Sequence, residues 1–309
     1  MNNADGPHFF SAILPHMTRA GFITVVGRPN AGKSTLLNRL IGQKLSIVSP
    51  KPQSTRDRVV GILTRGEAQM VLLDTPGLLD PQYELQKTMR AVARAAIADA
   101  DAILHLIDAT EHKADSLVIA AGLNAPPKAP IVVAFNKIDR LKADARQRLA
   151  EAYPDAALIS AANGDGIDRL LERLAGLLPE SPFLYDEDDV STQHLRYFVA
   201  ELIRETALEQ LDDEVPYSVA VEIEEFREER SPVYIRAVVY LERESQKRIF
   251  IGAGGAKIRD IGKAARQKVE QLIGAPAYLD LWVKVLPNWR KNPTALTRLG
   301  YTVPQDHRR

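Results

Sequence analysis

Three short runs, far apart along the chain, carry the residue types that handle phosphate, a hard cation and a purine. The first is Gly27, Arg28, Pro29, Asn30, Ala31, Gly32, Lys33 and Ser34, followed by Thr35. It lies between an apolar run at 22–26 and an apolar-periodic stretch at 35–41, so it reads as strand, glycine-rich turn and helix. In that setting the unpaired N–H groups of the turn and of the helix N-terminus favour a polyphosphate. Lys33 supplies a point charge for the β and γ phosphates, and the Ser34 hydroxyl is placed to ligate Mg²⁺.

The second run is Asp74, Thr75, Pro76 and Gly77, at the end of an apolar strand. A carboxylate at a strand's carboxyl end, on the phosphate side of a sheet, is where a Mg²⁺ contact belongs, and Gly77 offers an N–H to the γ-phosphate. The third is Asn136, Lys137, Ile138 and Asp139. An acceptor-only carboxylate at Asp139 pairs with the N1–H and 2-amino donors of guanine, which adenine lacks, and Asn136 suits its N7/O6 edge. Ser160, Ala161 and Ala162 follow a short strand at 157–159, where a backbone N–H can meet guanine O6.

These runs need a scaffold that brings strand ends together. Buried strands expected at 102–107 and 131–135 read as continuous apolar runs and alternate with helical patterns, the signature of a mostly parallel sheet covered on both faces. Strands at 59–64 and 69–73 flank a tight turn and form a hairpin, and 45–58, rich in Pro, Ser and charge, reads as a long exposed loop.

The bulk composition excludes several classes. The 309 residues carry 40 Lys/Arg and 40 Asp/Glu, no cysteine, and six histidines without ligand spacing. Disulfides and thiolate metal sites are therefore out, and no apolar run approaches the roughly 18 residues of a membrane span. The neutral total hides asymmetry. Five acidic residues and no basic one lie within 180–189, whereas 243–291 holds eleven Lys/Arg against four Asp/Glu, a local charge of +7. The division expected is a loose leader at 1–20, a nucleotide domain at 21–178, an acidic linker at 179–192, a basic module at 193–290 and a C-terminal tail at 291–309.

The first three runs together, in this order, resemble the small GTPase domain. The resemblance implies GTP and GDP as ligands with Mg²⁺ held by Ser34, Thr55 and Asp74. It also implies a first switch at 54–57 with Thr55 over the γ-phosphate, Ser54 being the neighbouring alternative, and catalysis resting on Lys33, Thr55 and Gly77. Leu78 stands where many signalling GTPases carry a water-orienting glutamine. A leucine cannot hold a water by hydrogen bonding, so slow intrinsic hydrolysis is expected.

In the basic module, Gly252, Ala253, Gly254 and Gly255 form a GxxG loop before a basic helix, on a helix-strand-strand-helix-helix-strand frame. This resembles a KH domain of the second type, whose loop clamps the backbone of about four single-stranded nucleotides. Arg248, Lys257, Arg259 and Lys263 flank the loop as RNA candidates. Trp282 is expected to pack within the module. Trp289, past the last strand, is open between packing and base stacking, and stands with Arg290 among the RNA candidates.

The fold class expected is thus α/β: a P-loop GTPase domain with a mostly parallel sheet, then an α+β type II KH domain. The pairing is similar to the Era-like family of bacterial ribosome-assembly GTPases. That similarity implies binding near the 3′ end of small-subunit ribosomal RNA, a role in 30S maturation, a cytoplasmic monomer and peripheral inner-membrane contact. The alternative from the residues is a GTP-regulated membrane or cell-cycle adaptor without an RNA ligand; an ATPase is the weaker rival, opposed by Asp139.

Overall fold

The structure, a computed structural model, describes residues 17–111 and 115–304. Its first sheet is built from β1 (Arg19–Val26), β2 (Val59–Arg65), β3 (Ala68–Asp74), β4 (Ala102–Asp108), β5 (Ile131–Asn136) and β6 (Ala157–Leu158), in the order β2-β3-β1-β4-β5-β6. Only β2 runs antiparallel, paired to β3 through the expected hairpin. Parallel strands need covering on both faces, and the sequence supplies it. On one face Ile23, Val25, Leu72 and Leu104 pack under α1 (Lys33–Ile41) and α5 (Ile167–Ala175). On the other, Val26 and Ile103 meet α2 (Glu84–Ala98) and the short α3 (Leu117–Ala121). Thr24, on that second face, is buried and donates its hydroxyl proton to the Ala96 carbonyl of α2 at 2.7 Å. The exposed α4 (Ala143–Ala152) joins β5 to β6.

The second unit follows the expected frame. It comprises α6 (Leu195–Gln210), β7 (Ala220–Arg227), β8 (Val233–Leu241), α7 (Glu244–Ile251), α8 (Ala256–Ile273) and β9 (Ala277–Val285). Its sheet runs β7-β8-β9, with β7 antiparallel and β9 parallel to β8. Val199, Ile203, Ile235, Val239, Phe250, Ile261 and Val269 form its core between helices and sheet. The fold class expected from the sequence is the one observed.

Three segments differ from expectation. Residues 1–16 of the expected leader lie outside the described residues, and Arg19 and Ala20 already belong to β1. The acidic segment is pinned to the first sheet: Gln69 Oε1 accepts from the Leu184 and Tyr185 N–H groups at 2.7 and 3.0 Å, and the Val190 carbonyl accepts from Ile62 N–H at 3.0 Å. It thereby covers the free edge of β2. The expected tail contains α9 (Pro293–Arg298), capped by Asn292 and anchored through buried Ala295 and Leu296. These pack with Leu85 and Met89 of α2 and Val238 and Tyr240 of β8, a small core between the two units.

Candidate functional site

The phosphate-binding run sits at the carboxyl ends of β1, β3, β4 and β5, where a doubly covered sheet places its ligands. Gly32 is the N-cap of α1 in the left-handed region, φ 96°, with no side chain capping the helix, so the first-turn N–H groups stay available. A Cβ there would lie 2.2 Å from Asn136 Nδ2. The turn lines a cleft of about 390 Å³ with Gly32, Lys33, Ser34, Thr35, Thr55, Gly77 and Lys137 on its walls.

Lys33 is buried, and its ammonium donates to the Gly27 and Arg28 carbonyls at 3.1 and 3.0 Å. Burial lowers its pKa to about 8, opposed by the charge of Asp74. Asp74 is itself fully buried, and burial pushes its carboxyl up against the opposing pull of Lys33 and the Ser34 hydroxyl. Ser34 Oγ donates to Asp74 Oδ2 at 2.8 Å and lies 3.0 Å from Thr55 Oγ1, while Asp74 Oδ1 is buried without a hydrogen-bond partner. Two hydroxyls converging on a carboxylate with an unpartnered oxygen form an all-oxygen set that fits Mg²⁺, the remaining ligands coming from water and phosphate.

The base end is equally tied down. Asn136 donates through Nδ2 to the Ala31 carbonyl at 2.8 Å and accepts through Oδ1 from Ala161 N–H at 2.8 Å, linking the phosphate loop to the loop after β6 that carries Ser160, Ala161 and Ala162. Its second amide hydrogen remains for a purine edge. Ser160 Oγ donates to Asp139 Oδ1 at 2.5 Å, orienting the carboxylate. Lys137, at φ 68°, is held by Asp108 Oδ2 at 2.5 Å. Asp108 and Arg39, whose Nε–H donates to the Ala161 carbonyl at 2.5 Å, are supports that the sequence reading missed. The available signal for Asp108 was its place at the carboxyl end of a buried strand.

Not every residue of the runs faces the cleft. Arg28 turns away to pair with Asp115. Thr75 is buried and donates to the Val25 carbonyl at 2.8 Å, and Pro76 and Ile138 are buried as well. Gly77 approaches the phosphate loop so closely that a Cβ would sit 2.8 Å from Pro29 N. Leu78 is buried at 4% exposure against Val26, Ala93 and Ile97, so it points into the core rather than at the cleft. Ile47 to Pro50, read only as exposed loop, also line the cleft.

In the second unit the GxxG turn joins α7 to α8. Gly252, Gly254 and Gly255 have φ of 73°, 54° and 76°, and a Cβ at Gly252 would lie 2.7 Å from Lys257 Cβ, so the tight turn depends on that glycine. Ala253, Gly254, Arg248, Arg259 and Lys263 are exposed around it, Lys257 is half-buried, and Arg259 donates to the Gly254 carbonyl at 3.0 Å.

Two RNA candidates are corrected. Trp289 is completely buried: its Nε1–H donates to the Ser218 carbonyl at 2.9 Å and its ring stacks on Tyr301. Arg290 pairs with Glu242 and covers the Tyr83 ring at 5.2 Å, which makes it part of the contact between the two units. Trp282 is corrected the other way. It is 53% exposed on the outer face of β9, with Nε1–H donating to Asp280 Oδ2 at 3.0 Å.

Comparison with known proteins agrees with this geometry. A family model described as a 50S ribosome-binding GTPase matches residues 22–137, and a KH-domain model matches residues 214–290. The structure of Aquifex aeolicus Era, a variant bound to GDP·AlF4⁻, is 37% identical, covers 93% of this chain and 100% of its own, and has a TM-score of 0.85. The same figures, 37%, 93%, 100% and 0.85, hold for Era in complex with MgGDPNP and nucleotides 1506–1542 of 16S ribosomal RNA. Identity at that level over both units and their junction shows that the chain belongs to the Era family of GTPases.

Proposed function

We propose that this protein is a slow GTP-hydrolysing switch that binds the 3′ end of small-subunit ribosomal RNA through its KH domain and acts in maturation of the 30S subunit. The observation that carries the reading is the presence, in one chain, of a cleft lined by the phosphate loop and an exposed basic GxxG turn, on a frame shared over 93% of its length with an Era bound to nucleotide and ribosomal RNA. The reading places it in the cytoplasm as a monomer. Contact with the inner membrane would be peripheral, since among the described residues no helix is long and apolar enough to cross a membrane.

Each group has a task in hydrolysis. Asp139, oriented by Ser160, selects guanine over adenine. The first-turn N–H groups of α1 and the Lys33 ammonium neutralise phosphate charge as it shifts towards the leaving oxygen. Mg²⁺, when bound through Ser34, Thr55 and Asp74, supplies Lewis-acid stabilisation of the same charge. Gly77 N–H and the Thr55 backbone are the groups left to align the attacking water, because Leu78 is packed in the core. With no side chain dedicated to the water, turnover is slow.

The test is binding to single-stranded RNA of the small-subunit 3′ end against a scrambled sequence, across a range of salt, with Gly254→Asp as loop control. The expected result is sequence-selective, salt-sensitive binding that the substitution abolishes. Equal affinity for both RNAs, or stronger binding to anionic vesicles than to RNA, would favour the membrane-adaptor reading instead.

A further inference from the structure

Thr55 is gripped from the KH unit on both sides. On its amino side, Arg204 of α6 donates to the Ser54 carbonyl, while Glu201 one turn earlier holds the guanidinium through Oε1 at 2.8 Å and Oε2 at 2.5 Å. On its carboxyl side, Arg56 donates through Nη1 to the Val219 carbonyl at 2.6 Å and through Nη2 to the Tyr217 carbonyl at 2.9 Å. The Arg56 guanidinium also lies 5.6 Å from the centre of the Trp289 ring. Both arginines are buried, at 4% and 2% exposure. Earlier in the same loop, Lys51 donates to the Leu208 carbonyl at 2.7 Å and to that of Leu211, at the C-terminal end of α6, where the helix dipole favours a cation.

The helix that provides this grip belongs to both cores. Phe198 of α6 packs in the first unit's main cluster, whereas Val199, Leu202 and Ile203 pack in the second unit's core. The loop that carries Thr55 is therefore fixed to the KH unit at residues 51, 54 and 56, while Thr55 itself turns to Ser34. Trp289, lost to RNA stacking, finds its purpose as the surface under Arg56.

We propose that Arg56 and Arg204 are positioning residues for GTP hydrolysis. They hold Thr55 over the Mg²⁺ and γ-phosphate position from the KH side, so that the nucleotide site is complete only while the KH unit is docked. The inference rests on the assignment of Thr55 made above. Arg56 Nε and Arg204 Nη1 are buried without hydrogen-bond partners, so the contact holds less firmly than apolar packing of the same area. That suits a grip that must let go. On this proposal GDP, held by the α1 N-terminus and the base loops, would not depend on the grip, whereas the γ-phosphate would.

The experiment measures affinities of the full chain for GDP and for a non-hydrolysable GTP analogue, with Mg²⁺ titrations and single-turnover hydrolysis, in Thr55→Ala, Arg204→Met and Arg56→Lys. Arg204→Met should weaken the analogue about tenfold while leaving GDP within about twofold, as loss of a charge-assisted hydrogen bond allows. It should also raise the Mg²⁺ requirement and slow hydrolysis, matching Thr55→Ala in kind. Arg56→Lys, which keeps a charged donor but not the two-carbonyl fork, should fall between wild type and Arg204→Met. Equal weakening of GDP and analogue in both arginine variants would show a structural role only and overturn the proposal. So would a shift in Thr55→Ala with none in either arginine variant. No shift in Thr55→Ala would overturn the assignment of Thr55 itself, and the positioning role with it.

Discussion

The nucleotide cleft and the GxxG surface handle the same chemical group, a phosphate, in opposite ways. At the phosphate end of the cleft the groups are buried and cross-linked: Lys33 at the start of α1 and Asp74 at the end of β3 are both buried, and Asn136 bridges two loops through both ends of its amide. At the GxxG turn, Gly254 has open space where a Cβ would go, and Arg248, Arg259 and Lys263 stand in solvent. Buried donors are worth more per contact and reject a wrong ligand, because their own groups would be left unpaired. Exposed cations add affinity in small, salt-screened steps. The difference suits one site that must read a single nucleotide and another that must hold and release a long polyanion.

The comparison breaks most visibly at Asp139. Asp139→Ala removes the carboxylate that Ser160 orients at the exposed base end, and GDP affinity by calorimetry should fall about a thousandfold while RNA binding without nucleotide stays within about twofold. A drop of only a few fold would mean that the base end is no more selective than a surface.

His105 sharpens the contrast through pH. It lies in β4, where burial holds its imidazole down at about 4, opposed by Asp115; His194, in the second unit, is exposed. Above pH 6.5 the imidazole is neutral folded or unfolded and costs nothing. As pH falls from 6.5 towards 4, the unfolded chain takes up the proton and the folded chain does not, so stability is lost over that window, by up to about 3 kcal/mol. His105→Gln should flatten this acid slope in denaturant titrations at pH 7 and pH 4.5. An unchanged slope would place the acid liability elsewhere.

Leu78 gives the next effect. Leu78→Gln puts an amide among Val26, Ala93 and Ile97 and should cost about 2 kcal/mol of stability without accelerating GTP hydrolysis. Faster hydrolysis would mean that residue 78 reaches the attacking water after all. The smallest effect belongs to the exposed side. Lys263→Ala should weaken RNA by only a few fold and reduce the slope of log affinity against log salt by about 0.7, as for one phosphate contact on a single strand.

The two sites were also unequally legible in the sequence. Gly27 to Thr35, Asp74, Asn136 and Ser160 fall together because each ends a strand of one parallel sheet, and such strands announce themselves as apolar runs between helices. The KH frame and its GxxG turn were readable for the same reason of element order. What failed was the judgement of single exposed-looking side chains. Trp289 and Arg290, beside Lys291, look like an RNA reader, yet α9 and α2 close over them from distant parts of the chain. Trp282 shares the polar face of β9 with Asp280 and Lys284 and was expected to pack there by its size alone, yet it is left more than half exposed. Arg56 read as one more charge in an exposed loop, and only the docked KH unit reveals that it is buried.

The most direct measurement is RNA affinity in two nucleotide states: single-stranded RNA of the small-subunit 3′ end, binding to the full chain loaded with GDP or with a non-hydrolysable GTP analogue, at one fixed salt concentration. If the loop carrying Thr55 ties the cleft to the KH unit, the analogue-loaded protein binds RNA more tightly, and Arg204→Met narrows the difference. Equal affinity in the two states, unchanged by Arg204→Met, would show two independent phosphate sites in one chain and contradict the coupling between them.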